Sequence, residues 1–147
     1  MIDASDENSL LLSIPLKKNI AYDEVCFLLG IDSLTNVSGV MGGDLDPTKG
    51  MYWAWNSGYI NFKLEGRSPL CETTNNEFVF HLGGYSGPYS SYQSVKLLVK
   101  DKSSLIIKVD VTSFLHSIDL STQHKTMSPG KEAKELSIQV SKIFSIL

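Results

Sequence analysis

The sequence predicts an all-β domain: a β-sandwich or open barrel of antiparallel strands with one C-terminal helix. Three observations predict it. Short apolar runs recur, several with strict period-2 alternation, and turn-rich stretches of Gly, Asn, Asp and Ser separate them. No helical pattern stands between these runs, which argues against an α/β arrangement. A 3.6-residue period emerges only at the end, in Ala133, Leu136, Val140, Ile143 and Leu147. With 147 residues, 42% of them apolar, the chain is long enough for one domain with a proper core and needs no disulfide framework.

Taken in order, residues 10–16 (LLLSIPL) read as a strand, and Pro15 points to an edge position because proline cannot donate to a ladder. Residues 25–31 (VCFLLGI) read as a second, well-buried strand. Residues 32–50 have no clear period and read as a long loop, of a length that is usually functional or partly disordered. Asp44 and Asp46 resemble the opening of a calcium loop, but Trp55 stands where the twelfth, acidic ligand belongs, so an Asp-Pro turn is the better reading. In residues 59–64, Ile60, Phe62 and Leu64 share one face and Tyr59, Asn61 and Lys63 the other. Phe78, Phe80 and Leu82 form a core-facing set, with Val79 and His81 opposite. Residues 95–99 and 105–111 read as a hairpin joined at residues 100–104, with Leu105, Ile107, Val109 and Val111 facing the core. Ser128 is the expected N-cap of the terminal helix, with Pro129 at its first position.

Charge narrows the partners. The net charge is −3 and the basic residues are scattered, so nucleic acid and anionic membranes are disfavoured. No apolar run approaches the roughly 20 residues of a membrane-spanning helix. The first residues are acidic and polar, not basic then apolar, so no signal peptide is read. The chain is then either cytoplasmic or processed or trimmed. Cys26 and Cys71 are too few for a cysteine scaffold, and one disulfide or two free thiols both remain open.

No phosphate-binding glycine loop, nucleophile elbow or His-Glu-x-x-His is present, so no enzyme is expected. The histidines are His81, His116 and His124. His81 reads either as a hydrogen-bonded structural residue or as a metal ligand. His124 lies in a loop with Met127 close by, and His116 reads as structural or exposed at a strand end. Trp53 and Trp55 are spaced i, i+2. In an unbroken strand they share a face with Tyr59, Asn61 and Lys63. A bulge at Ser57-Gly58 flips that phase and sends both into the core.

Five segments together resemble the MbnP-like family: residues 27–36 (FLLGIDSLTN), 43–48 (GDLDPT), 50–55 (GMYWAW) with Ser57-Gly58-Tyr59, 63–66 (KLEG) and 80–84 (FHLGG). Met127-Ser128-Pro129-Gly130 before a terminal helix also fits. The resemblance implies a β-sandwich exported to the periplasm or cell surface that binds or carries copper. It implies His81 as the foremost ligand, His124 as a further one, and Trp53 or Trp55 as a residue that a diheme partner protein converts to kynurenine. Relatives carry additional strands before the point where this chain begins, so residues 1–147 are expected to form a single domain without those strands. Relatives also tend to have a histidine in the loop before the tryptophan motif, and residues 32–50 contain none. An alternative is a structural or interaction module that keeps the fold without the metal.

Overall fold

The computed structural model describes residues 1–15, 21–56, 58–99 and 104–147. Its strands are β1 (Glu24–Leu29), β2 (Tyr52–Trp53), β3 (Gly58–Arg67), β4 (Glu77–Gly83), β5 (Gln93–Leu98), β6 (Ile107–Val109), β7 (Lys125–Thr126) and β8 (Phe144–Ile146). Among the described residues three α-helices are interspersed: α1 (Ser33–Val37), α2 (Val111–His116) and α3 (Lys131–Val140). Among the described residues, β1 pairs antiparallel with β5 and β6 with β8. A mixed sheet runs β2-β3-β4-β7, antiparallel except for the parallel β4–β7 pair. The architecture is therefore mostly strands in small sheets with a few helices, and among the described residues no barrel closes.

The main core forms on one face of β4. Phe78, Phe80 and Leu82 alternate along it as the period-2 pattern predicts, and all three are buried. Ala133, Leu136 and Val140 of α3 recur at helical spacing and join the same apolar cluster. Phe114 of α2 meets Phe80 edge-on at 5.6 Å and Phe62 at 5.8 Å between ring centroids. Cys71 is buried in this cluster, whereas Cys26 is exposed on β1, and both are free thiols.

Several elements differ from the sequence reading. Residues 10–15 form no strand. Leu10 ends a 3-10 turn that starts at Glu7, and Leu11, Leu12 and Ile14 are exposed without a ladder partner. An apolar run specifies a strand only where another strand is free to pair with it. Leu16 and Lys17-Lys18 lie outside the described residues. Strand β1 is half-buried, with Leu28 exposed, because only alternate residues face inward.

The expected hairpin of residues 95–99 and 105–111 is not formed. Strand β5 pairs with β1, and β6 pairs with β8. Residues 100–103 of its expected turn lie outside the described residues. The alternation also stops early. The Asp110 carboxylate accepts from the backbone N–H of Ser113 at 3.0 Å and caps α2, so Val111 begins a helix. Ile107 and Val109 are exposed instead of facing the core. The terminal helix begins at Lys131 with Gly130 at the cap position and no side-chain cap, so Ser128 does not cap it. Ile143 is buried beyond the helix, and Leu147 is exposed.

Candidate functional site

The site is built on β2, β3 and β4. Trp53 stands opposite Gly58 and Tyr52 opposite Tyr59. Farther along, Ile60 stands opposite Gly83, but Phe62 stands opposite Leu82. Strand β3 thus carries one extra residue, Asn61, and this bulge reverses its phase. On one side of the bulge, Phe62 and Leu64 stand with Leu82 and Phe80 on the core face. On the other side, Gly58 and Ile60 stand with Gly83, on the opposite face. That face also carries His81, Lys63 and Glu65, and pairing brings Trp53 onto it. Ile60 is therefore not on the Phe62–Leu64 face as expected. The inversion happens at Asn61, whereas the bulge was expected at Ser57-Gly58, of which Ser57 lies outside the described residues.

The bulge is held by its own side chain. Asn61 Oδ1 accepts from the Ile31 N–H at 2.9 Å, and Nδ2 donates to Ser91 Oγ at 2.8 Å. Beside it, Asn36 of α1 donates through Nδ2 to the Ile31 and Asp32 carbonyls and accepts from the Tyr59 N–H at 3.0 Å. The Tyr59 hydroxyl accepts from the Met41 N–H at 3.1 Å and donates to the Leu45 carbonyl at 3.0 Å. Residues 32–50, expected as a long loop, are thus an ordered stretch of one short helix and two 3-10 turns fastened to β3. Asp46 caps the second of these turns by accepting from the Thr48 N–H, as an Asp-Pro turn requires.

The two tryptophans have different surroundings, contrary to the shared face that i, i+2 spacing predicts. Strand β2 ends at Trp53, and Trp55 falls in the following turn. Trp53 is 5% exposed and Trp55 is 66% exposed. Their ring centroids are 5.6 Å apart, tilted by 42°. The Trp53 indole covers Gly83, and its Nε1 is buried with no hydrogen-bond partner.

His81 is 9% exposed. Its Nε2 lies 2.6 Å from Glu65 Oε1, across the β3–β4 pair and one step along from Lys63, its direct opposite. Lys63 Nζ approaches the same oxygen at 3.7 Å. The hydrogen bond with His81 is the main cause holding the Glu65 carboxyl below its ordinary range, and the Lys63 charge adds to it. Glu65 is half-exposed and also lines an open groove with Arg67, Glu77 and Val79.

The structure brings only part of the implied ligand set together. His81 and Trp53 share a face. His124 precedes Lys125, which stands opposite Val79 in the parallel β4–β7 pair, so it falls on the Phe78 side, away from His81. Its carbonyl accepts from the Val79 N–H at 2.8 Å, and its Nδ1 is buried without a partner. Met127 and His116 are exposed, and His116 ends α2, not a strand. Among the described residues no three His, Cys, Asp or Glu side chains are grouped to hold a metal ion. The intact indole N–H is a donor only. As they stand, these residues supply one imidazole and fall short of a complete copper site. Glu65 is the partner of His81 that the sequence reading missed. Its signal was the diagonal to His81, legible only once the β3–β4 register is known.

A family model described as MbnP matches residues 1–129. No curated protein and no solved structure matches the chain.

Proposed function

The chain belongs to the MbnP family, and from that premise we propose that it is an exported β-sandwich that binds or carries copper on the sheet face bearing His81. It would work in the periplasm or at the cell surface, as a binding protein without catalysis of its own. The observation that supports this reading is the placement of Trp53 on the face of His81, with the indole Nε1 buried and unpartnered. A buried donor without an acceptor costs about 1–3 kcal/mol, so its retention there calls for a reason. Conversion of Trp53 to kynurenine by a diheme partner would break the indole C2–C3 bond as one equivalent of dioxygen, the oxidant, adds across it, and hydrolysis would then release C2 as formate; a nitrogen that can only donate would be replaced by an aniline-type nitrogen able to coordinate. His81 supplies the imidazole, which suits copper. Trp55, exposed and in ring contact with Trp53, is the other residue open to modification.

Copper titration by calorimetry, on protein co-expressed with the diheme partner, tests the reading. Binding should be lost or at least tenfold weaker in His81→Ala, and intact mass with peptide mapping should locate the modification at Trp53. Absence of tight binding by the wild-type chain overturns it.

A second reading has its own observation. His81 Nε2 is already engaged by Glu65, and no three-ligand group converges among the described residues. The same fold would then serve as an interaction module without metal. Under that reading His81→Ala lowers stability and leaves a weak copper isotherm unchanged.

A further inference from the structure

We propose that the open pocket between the β2–β3 turn and the residues that follow β4 takes one ring of a neutral sugar, with the exposed Trp55 as its stacking platform. Neither His81 nor a metal takes part.

The pocket has a volume of about 140 Å³ and is lined by Asn56, Gly58, Gly84, Tyr85, Ser86 and Pro129. Sites for drug-sized ligands run to roughly 300–1,000 Å³, so this one suits a single small ring. No charged side chain stands among the described lining residues, which selects a neutral ligand. An amide, a phenol and a hydroxyl stand there instead. Among the described residues the side chains of Asn56, Tyr85 and Ser86 have no hydrogen-bond partner within the protein. All three are therefore free to serve one ligand, and each can both donate and accept, as sugar hydroxyls do.

The backbone beneath these side chains is fixed. The Ser33 hydroxyl donates to the Tyr85 carbonyl, and the Ser91 N–H and hydroxyl donate to the Gly84 carbonyl at 2.9 and 3.2 Å. Two glycines let the walls close in. A Cβ on Gly58 would stand 3.3 Å from the Tyr85 ring, and one on Gly84 would stand 3.0 Å from Pro129 Cβ. Gly84 also has φ +117°, which side chains rarely adopt. Free polar side chains on a fixed frame are what a binding site requires.

Trp55 adjoins Asn56 and is 66% exposed. Its ring rests against Trp53, which packs on Gly83, the neighbour of Gly84. An exposed indole held from behind is a rigid apolar platform that loses little freedom on binding. A sugar ring matches both chemistries, with a C–H face for the indole and hydroxyls for the three polar side chains. A wholly apolar ligand would leave those side chains unpaired, and a charged one would find no counter-charge.

Amide NMR of the full chain, titrated with the methyl glycosides of glucose, galactose, mannose and N-acetylglucosamine, tests this. At least one glycoside should bind in the millimolar range and shift the amides of Asn56, Gly58, Gly84 and Ser86 together with the Trp55 indole N–H. Trp55→Ala should weaken that binding at least about tenfold, and Trp55→Tyr, which keeps an aromatic face, should recover most of it. Asn56→Ala should weaken it about three- to tenfold. Circular dichroism of each variant separates loss of binding from loss of fold. Absence of shifts with all four glycosides overturns the proposal. So does equal binding by wild type and Trp55→Ala, and so does a perturbation confined to the Trp55 indole.

Discussion

Trp53 lies so closely over Gly83 that a Cβ on Gly83 would stand 2.6 Å from the indole Cζ3 and 2.6 Å from the Tyr59 carbonyl oxygen. The first neighbour is a large ring packed in place and the second is backbone, so neither can yield cheaply. The glycine is what lets the Trp53 ring pack this closely against β4.

Gly83→Ala is accordingly expected to destabilise the fold by about 1–3 kcal/mol through overpacking and to displace the Trp53 ring. Chemical denaturation and near-UV circular dichroism check this. An alanine variant with unchanged midpoint and unchanged aromatic signal would show that Trp53 does not rest on this residue.

The tryptophans should separate in solution. Trp53→Ala removes a ring that is almost wholly buried and should cost about 3–5 kcal/mol. Trp55→Ala removes a mainly exposed ring whose contact is the tilted pair with Trp53, and should cost about 0.5–1 kcal/mol. Iodide quenching of the single-tryptophan variants Trp55→Phe and Trp53→Phe is the companion measurement. Equal quenching of the two would contradict their placement.

Asn36 joins α1 to β3 by accepting from the Tyr59 N–H while donating to the Ile31 and Asp32 carbonyls. It is buried, so truncation leaves those groups without partners. Asn36→Ala should cost about 1–3 kcal/mol, with faster amide exchange at Tyr59 and at Met41, whose N–H rests on the Tyr59 hydroxyl. Stability at the wild-type level with unchanged exchange would mean that residues 32–50 are held by something else.

Acid should loosen the same segment. The Asp32 carboxylate accepts from the Thr35 backbone N–H at 2.9 Å and the Thr35 hydroxyl at 2.8 Å, and these bonds, the backbone one first, hold its carboxyl below the ordinary 3.8. A depressed carboxyl contributes its full share to the folded state above its unfolded pKa and loses it as pH falls through the folded value. The Thr35 amide should therefore keep its chemical shift and protection above about pH 4–5 and lose both on descent toward pH 2. Asp32→Asn should flatten that dependence. A Thr35 amide that ignores pH over this range disproves the cap.

Much of the core was legible in the residues. Phe78, Phe80 and Leu82 face inward because a strand alternates, and Ala133, Leu136 and Val140 do so because a helix repeats. Both periods are properties of a single segment. The misreadings arose where a segment needed a partner. The apolar residues 10–15 found none, and β5 and β6 paired with β1 and β8 instead of with each other. Local signals were also outvoted by capping at Asp110, where one side chain turned an apparent strand into α2.

The sequence by itself determined the alternation of β4, the apolar stripe of α3 and the motifs by which the family is recognised. Only the tertiary structure decided that Asn61 is the bulge, that Trp53 joins the face of His81 while His124 stands on the other side, and that Glu65 is the partner of His81. The physical reason is register. The side-chain period of a strand is two, so a single extra residue moves every later side chain to the opposite face, and the position of that residue is set by how two distant strands hydrogen-bond, not by either strand alone.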